Sequence, residues 1–364
     1  MKRVILHMAL LLTVLLAAGC TRISPFQFDS RLEVTIRIPA PVTTRADVGS
    51  VTPGSTERKL TSLQVWIFKS SDGTFLGYLE PDVSTFADGE EERLFIRLDN
   101  EMAKTRPNVD VYAIANAAGI PGLSLDQYTT RVGLDNALIQ GESFFGSGIP
   151  LAGLPYSGVK TCSLTGNYPV LNAGSVTLTQ AVSKIRFLFS QLSAADGTTP
   201  LDNFTVTSIG LDGNLIPGKE YVFNTSTDPY RVGSEYVADG FNFTVPADPI
   251  PACPSPADYA FYSGQSSSAY ENVVAQGIQD GKLLSTPYYY FRESPLALSG
   301  TIRYTVGGVS GTIPFVMHAA GDFTRGHSWV VYVYYASGRI QFSVTYEPWE
   351  NGGDIPVNGD DNLE

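Results

Sequence analysis

Residues Arg31 to Ala46 read RLEVTIRIPAPVTTRA, and the two halves follow different rules. In the first half Leu32, Val34, Ile36 and Ile38 alternate with Glu33, Thr35 and Arg37. A period of two with one apolar face is the signature of a half-buried β-strand. The second half is Pro, Thr and small residues, with one basic residue, Arg45, before Ala46. A well-made strand therefore runs into what reads as a protease-accessible linker.

The same period recurs along the chain. RLFIRL (93–98) alternates, as does GRIQFSVTY (338–346), where Ile340, Phe342, Val344 and Tyr346 share a face. LTSLQVWIFK (60–69) is apolar on both faces, as expected of a strand covered on both sides. VDVYAIANA (109–117), VTLTQAVSKIRFLF (176–189) and FTVTSIGL (204–211) are further strand-type runs. Helical spacing is confined to residues 130–140 and 269–280. With 35 Gly, 23 Pro and 38 Tyr and Phe residues together, the composition fits many short strands joined by turns. The expectation is an all-β protein of two tandem β-sandwich domains. The polar, turn-rich stretch SQLSAADGTTPLDN (190–203) is the expected boundary, giving sandwiches over 46–190 and 200–364.

At 364 residues, 43% hydrophobic and 16% charged, the chain can bury two real cores. Its net charge of −12 excludes a basic nucleic-acid face as the organising feature. Residues 1–20 read as an export signal: Lys2 and Arg3 precede an apolar run from Val4 to Leu16, followed by Ala17, Ala18, Gly19 and Cys20. Small residues before Cys20 resemble a lipobox, with cleavage between Gly19 and Cys20 and lipid on Cys20; the alternative is an ordinary secretory signal. No second apolar run of spanning length follows. Cys162 and Cys253 are then either a disulfide or two buried thiols.

Catalytic chemistry is hard to find. Of three histidines, His7 lies in the signal, and His318 and His327 lack metal-site spacing. His327 precedes the strand SWVVYVYY, where packing or capping accounts for it. There is no Gly-x-Ser-x-Gly elbow, no phosphate-binding glycine loop and no Cys-x-x-Cys. No enzyme, cofactor or metal is expected. Tyr288, Tyr289, Tyr290 and Phe291 offer a second reading, a glycan-binding surface lipoprotein that stacks sugars on these aromatics.

Nine stretches, in order, resemble the fimbrillin family of Bacteroides-type bacteria, the FimA/Mfa-like subunits of type V pili: AAGC (17–20), LTSLQVWIF (60–68), VDVYAIANA (109–117), LPYSG (154–158), VTLTQAVSKIRF (176–187), FTVTSIGL (204–211), YYYFRES (288–294), FTRGHSWVVYV (323–333) and VTYEPWENGGDIPV (344–357). The chain departs from the family where Gln180–Ile185 reads QAVSKI rather than RAVAKI, and where Arg325-Gly326-His327 replaces an Arg-Asn-His run. The resemblance implies two transthyretin-like sandwiches. It also implies a lipoprotein carried to the outer membrane, cut by an Arg-specific protease behind its first strand, and polymerised into a cell-surface fimbrium.

On that resemblance Arg45–Ala46 matches the cleavage site, residues 21–45 become a propeptide, and Leu32, Val34, Ile36 and Ile38 form a removable strand. A C-terminal strand from another pilus subunit would fill the groove. Its candidate side chains are Ile340, Phe342, Val344 and Tyr346, or Ile355 and Val357 further on. The alternative for the first set is that 339–346 is the last strand of its own domain. A receptor on host or bacterial surfaces is a further implied partner.

Overall fold

The structure is a computed structural model that describes residues 30–37, 59–84, 86, 91–98, 100–141, 148–149, 151–224, 231–253, 276–317 and 323–348. Ten strands come first in the chain: β1 (Ser30–Arg37), β2 (Leu63–Lys69), β3 (Phe75–Leu79), β4 (Glu91–Leu98), β5 (Val109–Ala115), β6 (Leu138–Gln140), β7 (Tyr156–Cys162), β8 (Thr165–Asn167), β9 (Val170–Thr177) and β10 (Thr179–Gln180). Eleven follow: β11 (Ser183–Leu192), β12 (Phe204–Leu211), β13 (Lys219–Tyr221), β14 (Phe241–Phe243), β15 (Ala252–Cys253), β16 (Leu284–Ser285), β17 (Tyr289–Phe291), β18 (Leu298–Val306), β19 (Val309–Met317), β20 (His327–Ala336) and β21 (Arg339–Pro348). The protein is all-β, as expected.

The strands form four main sheets, and three buried apolar cores lie between them. The first sheet runs β4-β1-β9-β8 and the second β10-β7-β5-β2-β3. Leu32, Val34 and Ile36 of β1 meet Leu63, Val65 and Ile67 of β2 in the core between these two. The third sheet runs β15-β11-β20-β21, with β16 and β17 also pairing to β11; the fourth runs β14-β12-β18-β19. Phe187, Trp329, Phe204 and Phe315 belong to the core between that second pair. The third core joins the pairs: Trp66, Phe68, Tyr112 and Ile114 from the second sheet pack with Leu188, Tyr290, Val330 and Tyr332 from the third.

The two inner sheets are therefore covered on both faces, which explains strands apolar on both sides. In β2 the odd residues enter one core while Trp66 and Phe68 enter another. The sheets approach so closely at Gly158 that a Cβ there would lie 2.3 Å from the Thr177 carbonyl oxygen. Only glycine fits that position without moving backbone.

Two expectations about organisation need correction. VTLTQAVSKIRFLF (176–189) reads as one strand, but it belongs to three sheets in succession: β9 in the first, β10 in the second and β11 in the third. The passage between sheet pairs falls at 181–182, between β10 of the second sheet and β11, which pairs in parallel with β20 over Lys184–Gln191. The boundary at 190 thus cuts through β11: the first three residues of SQLSAADGTTPLDN end that strand, and residues 193–203 are a loop between β11 and β12 within the second pair. Of the helical stretches, residues 130–140 divide into a five-residue helix (Arg131–Asp135) and β6, while residues 276–279 of the other are helical.

Candidate functional site

β1 is the earliest described strand, yet it lies inside its sheet rather than at an edge. On one side it pairs antiparallel with β4 through eight positions, from Ser30 opposite Leu98 to Arg37 opposite Glu91. On the other it pairs in parallel with β9, with a break in register between Glu33 and Thr35. Parallel pairing is slightly weaker per residue, and the break interrupts it further. The ends are tied by Arg31 N–H to the Pro169 carbonyl at 2.8 Å and Leu178 N–H to the Arg37 carbonyl at 3.0 Å.

The apolar side chains of β1 share one face. Leu32, Val34 and Ile36 are 0% exposed. Each such side chain contributes about 1.5–3 kcal/mol over leaving it in water. Arg31 and Arg37 are exposed on the other face. Without β1, a groove one strand wide would open between β4 and β9, floored by Leu63, Val65, Val111 and their neighbours. Its walls would carry unpaired N–H and C=O groups, a template for another extended chain. The three described members of the removable set are thus together in one place. Ile38 lies outside the described residues, as do Gly19, Cys20, Arg45 and Ala46.

β21 lies at an edge of the third sheet and pairs antiparallel with β20 in unbroken register, from Arg339 opposite Ala336 to Pro348 opposite His327. Ile340 and Phe342 pack against the core of the second sheet pair. Val344 and Tyr346 follow them in the register. Residues 339–348 therefore serve as the last described strand of their own sandwich. Ile355 and Val357 lie outside the described residues.

Three other sequence candidates are placed elsewhere. Tyr288, Tyr289, Tyr290 and Phe291 are all buried, between 0% and 6% exposed, and divide between two cores. They present no surface to a sugar, so the stacking site expected on them is wrong; each ring belongs to a sheet covered on both faces. Cys162 and Cys253 form no disulfide. Both are buried, but they sit in different cores. Burial raises the Cys162 thiol pKa above its usual range. His327 is largely buried, its Nδ1 2.6 Å from Thr324 Oγ1 and 3.0 Å from the Arg325 carbonyl. Desolvation lowers its pKa below the ordinary histidine range. His318 lies outside the described residues.

Sequence reading missed a buried ion cluster. Arg325 Nη2 lies 2.6 Å from Glu220 Oε1 and 2.9 Å from Glu293 Oε1. It also donates to the Tyr221 carbonyl at 2.6 Å, and Nη1 donates to the Val222 carbonyl at 2.8 Å. Glu293 N–H donates to Glu220 Oε2 at 3.0 Å, and Asn224 Nδ2 to Glu293 Oε1 at 3.0 Å. One guanidinium faces two carboxylates, and all three side chains are buried. Burial accordingly pushes Glu220 up to about 8, against the pull of Arg325. β13, which carries Glu220, pairs with β6 from the first half of the chain. Nearby, Arg292 Nη1 reaches the Gly141 carbonyl at 2.7 Å. The cluster thus fastens the two halves of the chain together. Its members lie 32 to 105 residues apart, so no local spacing reveals it.

No protein-family model matches the chain, and no curated protein matches it in sequence. Solved structures do. One is a Parabacteroides distasonis protein described as a candidate cell adhesion protein: TM-score 0.53, 12% identity, covering 90% of this chain and 99% of that one. Another is the tip fimbrial protein Mfa3 of Porphyromonas gingivalis, C-terminally truncated: TM-score 0.48, 12% identity, 88% and 100% covered. A third is the P. gingivalis fimbrilin FimA: TM-score 0.45, 10% identity, 90% and 100% covered. These three are described as fimbrial or cell adhesion proteins, and the chain shares the fold of the Parabacteroides protein over nearly the whole of both chains.

Proposed function

We propose that the chain is a structural subunit of a cell-surface pilus that contributes to adhesion and has no catalysis of its own. It is exported as a lipoprotein on Cys20, held at the outer membrane, cut after Arg45 by an Arg-specific protease, and polymerised by strand exchange with other pilus subunits. The observation that carries this reading is the placement of β1. A strand from the start of the chain fills the interior of a sheet, with Leu32, Val34 and Ile36 fully buried, ahead of a segment containing Arg45. A cut there converts a covalently held strand into a separate peptide held by its contacts alone. An extended segment from another copy can then take the same backbone bonds and the same pockets.

Between the donor candidates, packing favours the segment with Ile355 and Val357. Withdrawing β21 would strip Ile340 and Phe342 from their own core and expose β20. Donation of a segment beyond Pro348 leaves every described strand of the second sandwich in place.

The test is digestion of the purified precursor with an Arg-specific protease, read by mass spectrometry and sedimentation. The expected result is release of a peptide ending at Arg45 and growth of polymers, with Arg45→Ala abolishing both. Polymers forming equally well from Arg45→Ala would refute the maturation step.

A further inference from the structure

β19 is an edge strand of the fourth sheet, and apart from Pro314 it lacks the devices that keep an edge from pairing with another chain. The other edge strands are charged or short. β4 carries Glu91, Glu92, Arg93 and Arg97, and β21 carries Arg339 and Glu347. β3 has five residues, and the rest have two or three. β19 runs for nine residues, VSGTIPFVM, with no charge and an unbroken register against β18. The four strands of its sheet hold one charged residue between them, Arg303 of β18, on a chain whose net charge is −12.

The turn before β19 fixes which of its backbone groups face outward. Gly307 and Gly308, with φ of 55° and 83°, join Val306 to Val309 in a two-residue hairpin. In such a turn the N–H of Val309 donates to the carbonyl of Val306. Residues of an antiparallel strand alternate between bonding a neighbour and facing away from it. Val309, Gly311, Ile313, Phe315 and Met317 therefore bond β18, while Ser310, Thr312, Pro314 and Val316 turn their backbone groups to the open edge. Pro314 falls in the outward set, where its missing N–H leaves the pairing with β18 intact. Among the described residues, no other strand pairs with β19, and the four outward residues make no further hydrogen bond. All four are exposed.

We propose that β19 pairs with β19 of a second copy of this chain, antiparallel about a two-fold axis at Ile313, so that two sheets become one. In this register Ser310 meets the second copy's Val316, and Thr312 meets its Pro314. Every outward N–H then finds a carbonyl, and of the outward carbonyls Thr312 alone faces the proline. A second copy fits this edge because of charge. Two acidic chains repel each other over much of their surfaces. Along β19 they meet with no charged residue on either strand. An occupant recognised by its charge would need a counter-charge there, whereas strand addition needs backbone groups, and a two-fold mate presents the same set in return. The contact lies in the second sandwich of the uncut chain, away from the groove that β1 fills, so it does not rest on the proposed cleavage.

The experiment uses the uncut full chain, read by sedimentation equilibrium across concentration and salt and by hydrogen exchange. A reversible dimer is expected, no weaker at high salt, since no ion pair forms it and salt screens the repulsion between acidic chains. The amides of Ser310, Thr312 and Val316 should be protected in the dimer and exchange freely in the monomer. Thr312→Pro removes one outward N–H from each copy and should weaken dimerisation roughly tenfold to hundredfold, the scale of two neutral hydrogen bonds. Thr312→Lys sets like charges side by side and should abolish the dimer. Thr207→Lys, at an exposed site on β12, should leave it unchanged. Thermal melting shows whether each variant is folded. A parent chain that stays monomeric at every concentration would overturn the proposal, as would dimers indifferent to both Thr312 substitutions. Dimers lost equally with Thr207→Lys would also overturn it, because the contact would then be the outer face of the sheet and not its edge. None of these results bears on the digestion at Arg45, so the two readings fail separately.

Discussion

Leu32→Ala offers a quantitative test of how β1 is held. Leu32 is 0% exposed and packs in the core between the first two sheets. Removing its isobutyl group leaves a cavity and costs about 2–5 kcal/mol, depending on how far the site collapses. In the uncut chain that cost appears as lower stability of the first sandwich. In the chain cut after Arg45 the same loss falls on the equilibrium between bound and departed β1. There it amounts to a shift of roughly 30- to 4,000-fold toward release. The assay follows appearance of the N-terminal peptide by size-exclusion chromatography and mass spectrometry after a pulse of Arg-specific protease. Arg37→Ala is the control, because its exposed side chain makes a surface contact of 3.7 Å with Glu91 and should change release little. If Leu32→Ala and Arg37→Ala release the peptide at the parent's rate, the buried side chains do not hold β1 and the reasoning fails.

Three further outcomes follow from the interior. Glu220 titrates near 8 when folded, above its ordinary 4.5, so the folded state retains a proton the unfolded state has lost between those values. Its contribution to stability is therefore greatest below about pH 4.5 and is lost as pH rises toward 8. Denaturant titrations of the parent should show stability falling as pH rises through that range, and Glu220→Gln should remove the fall. Cys162 and Cys253 should both alkylate on unfolding without reductant; a disulfide-sized mass difference on reduction would contradict the placement. Gly158→Ala should lower the melting temperature sharply, since its Cβ would meet the Thr177 carbonyl oxygen at 2.3 Å.

The sequence is most legible where one face meets water. β1 and β4 belong to an outer sheet, and their alternation shows in the residues: Leu32, Val34 and Ile36 inward, Arg31 and Arg37 outward. It is least legible where strands are covered on both sides. Val176 to Phe189 contains neither Gly nor Pro, so nothing punctuates its passage through three sheets. The turn-rich stretch after Leu192 looked like a domain boundary because loops and linkers share a composition. Here Ser193 bridges to Pro200, closing a loop between two strands of the second pair. Buried aromatics such as Tyr290 carry no mark of burial in a local window; the packing of the second sheet against the third decides it. The Arg325 cluster depends on β13 being brought beside the segment that follows β17, a long-range event no motif encodes.

The central claim concerns which strand lies between β4 and β9 after assembly. A cryo-EM reconstruction of fibres grown from the protease-treated chain reads it directly. The expected density between Glu91–Leu98 and Val170–Thr177 is a strand from another copy, drawn from the segment beyond Pro348. Fibres in which Ser30–Arg37 of the same chain still occupies that position would contradict it.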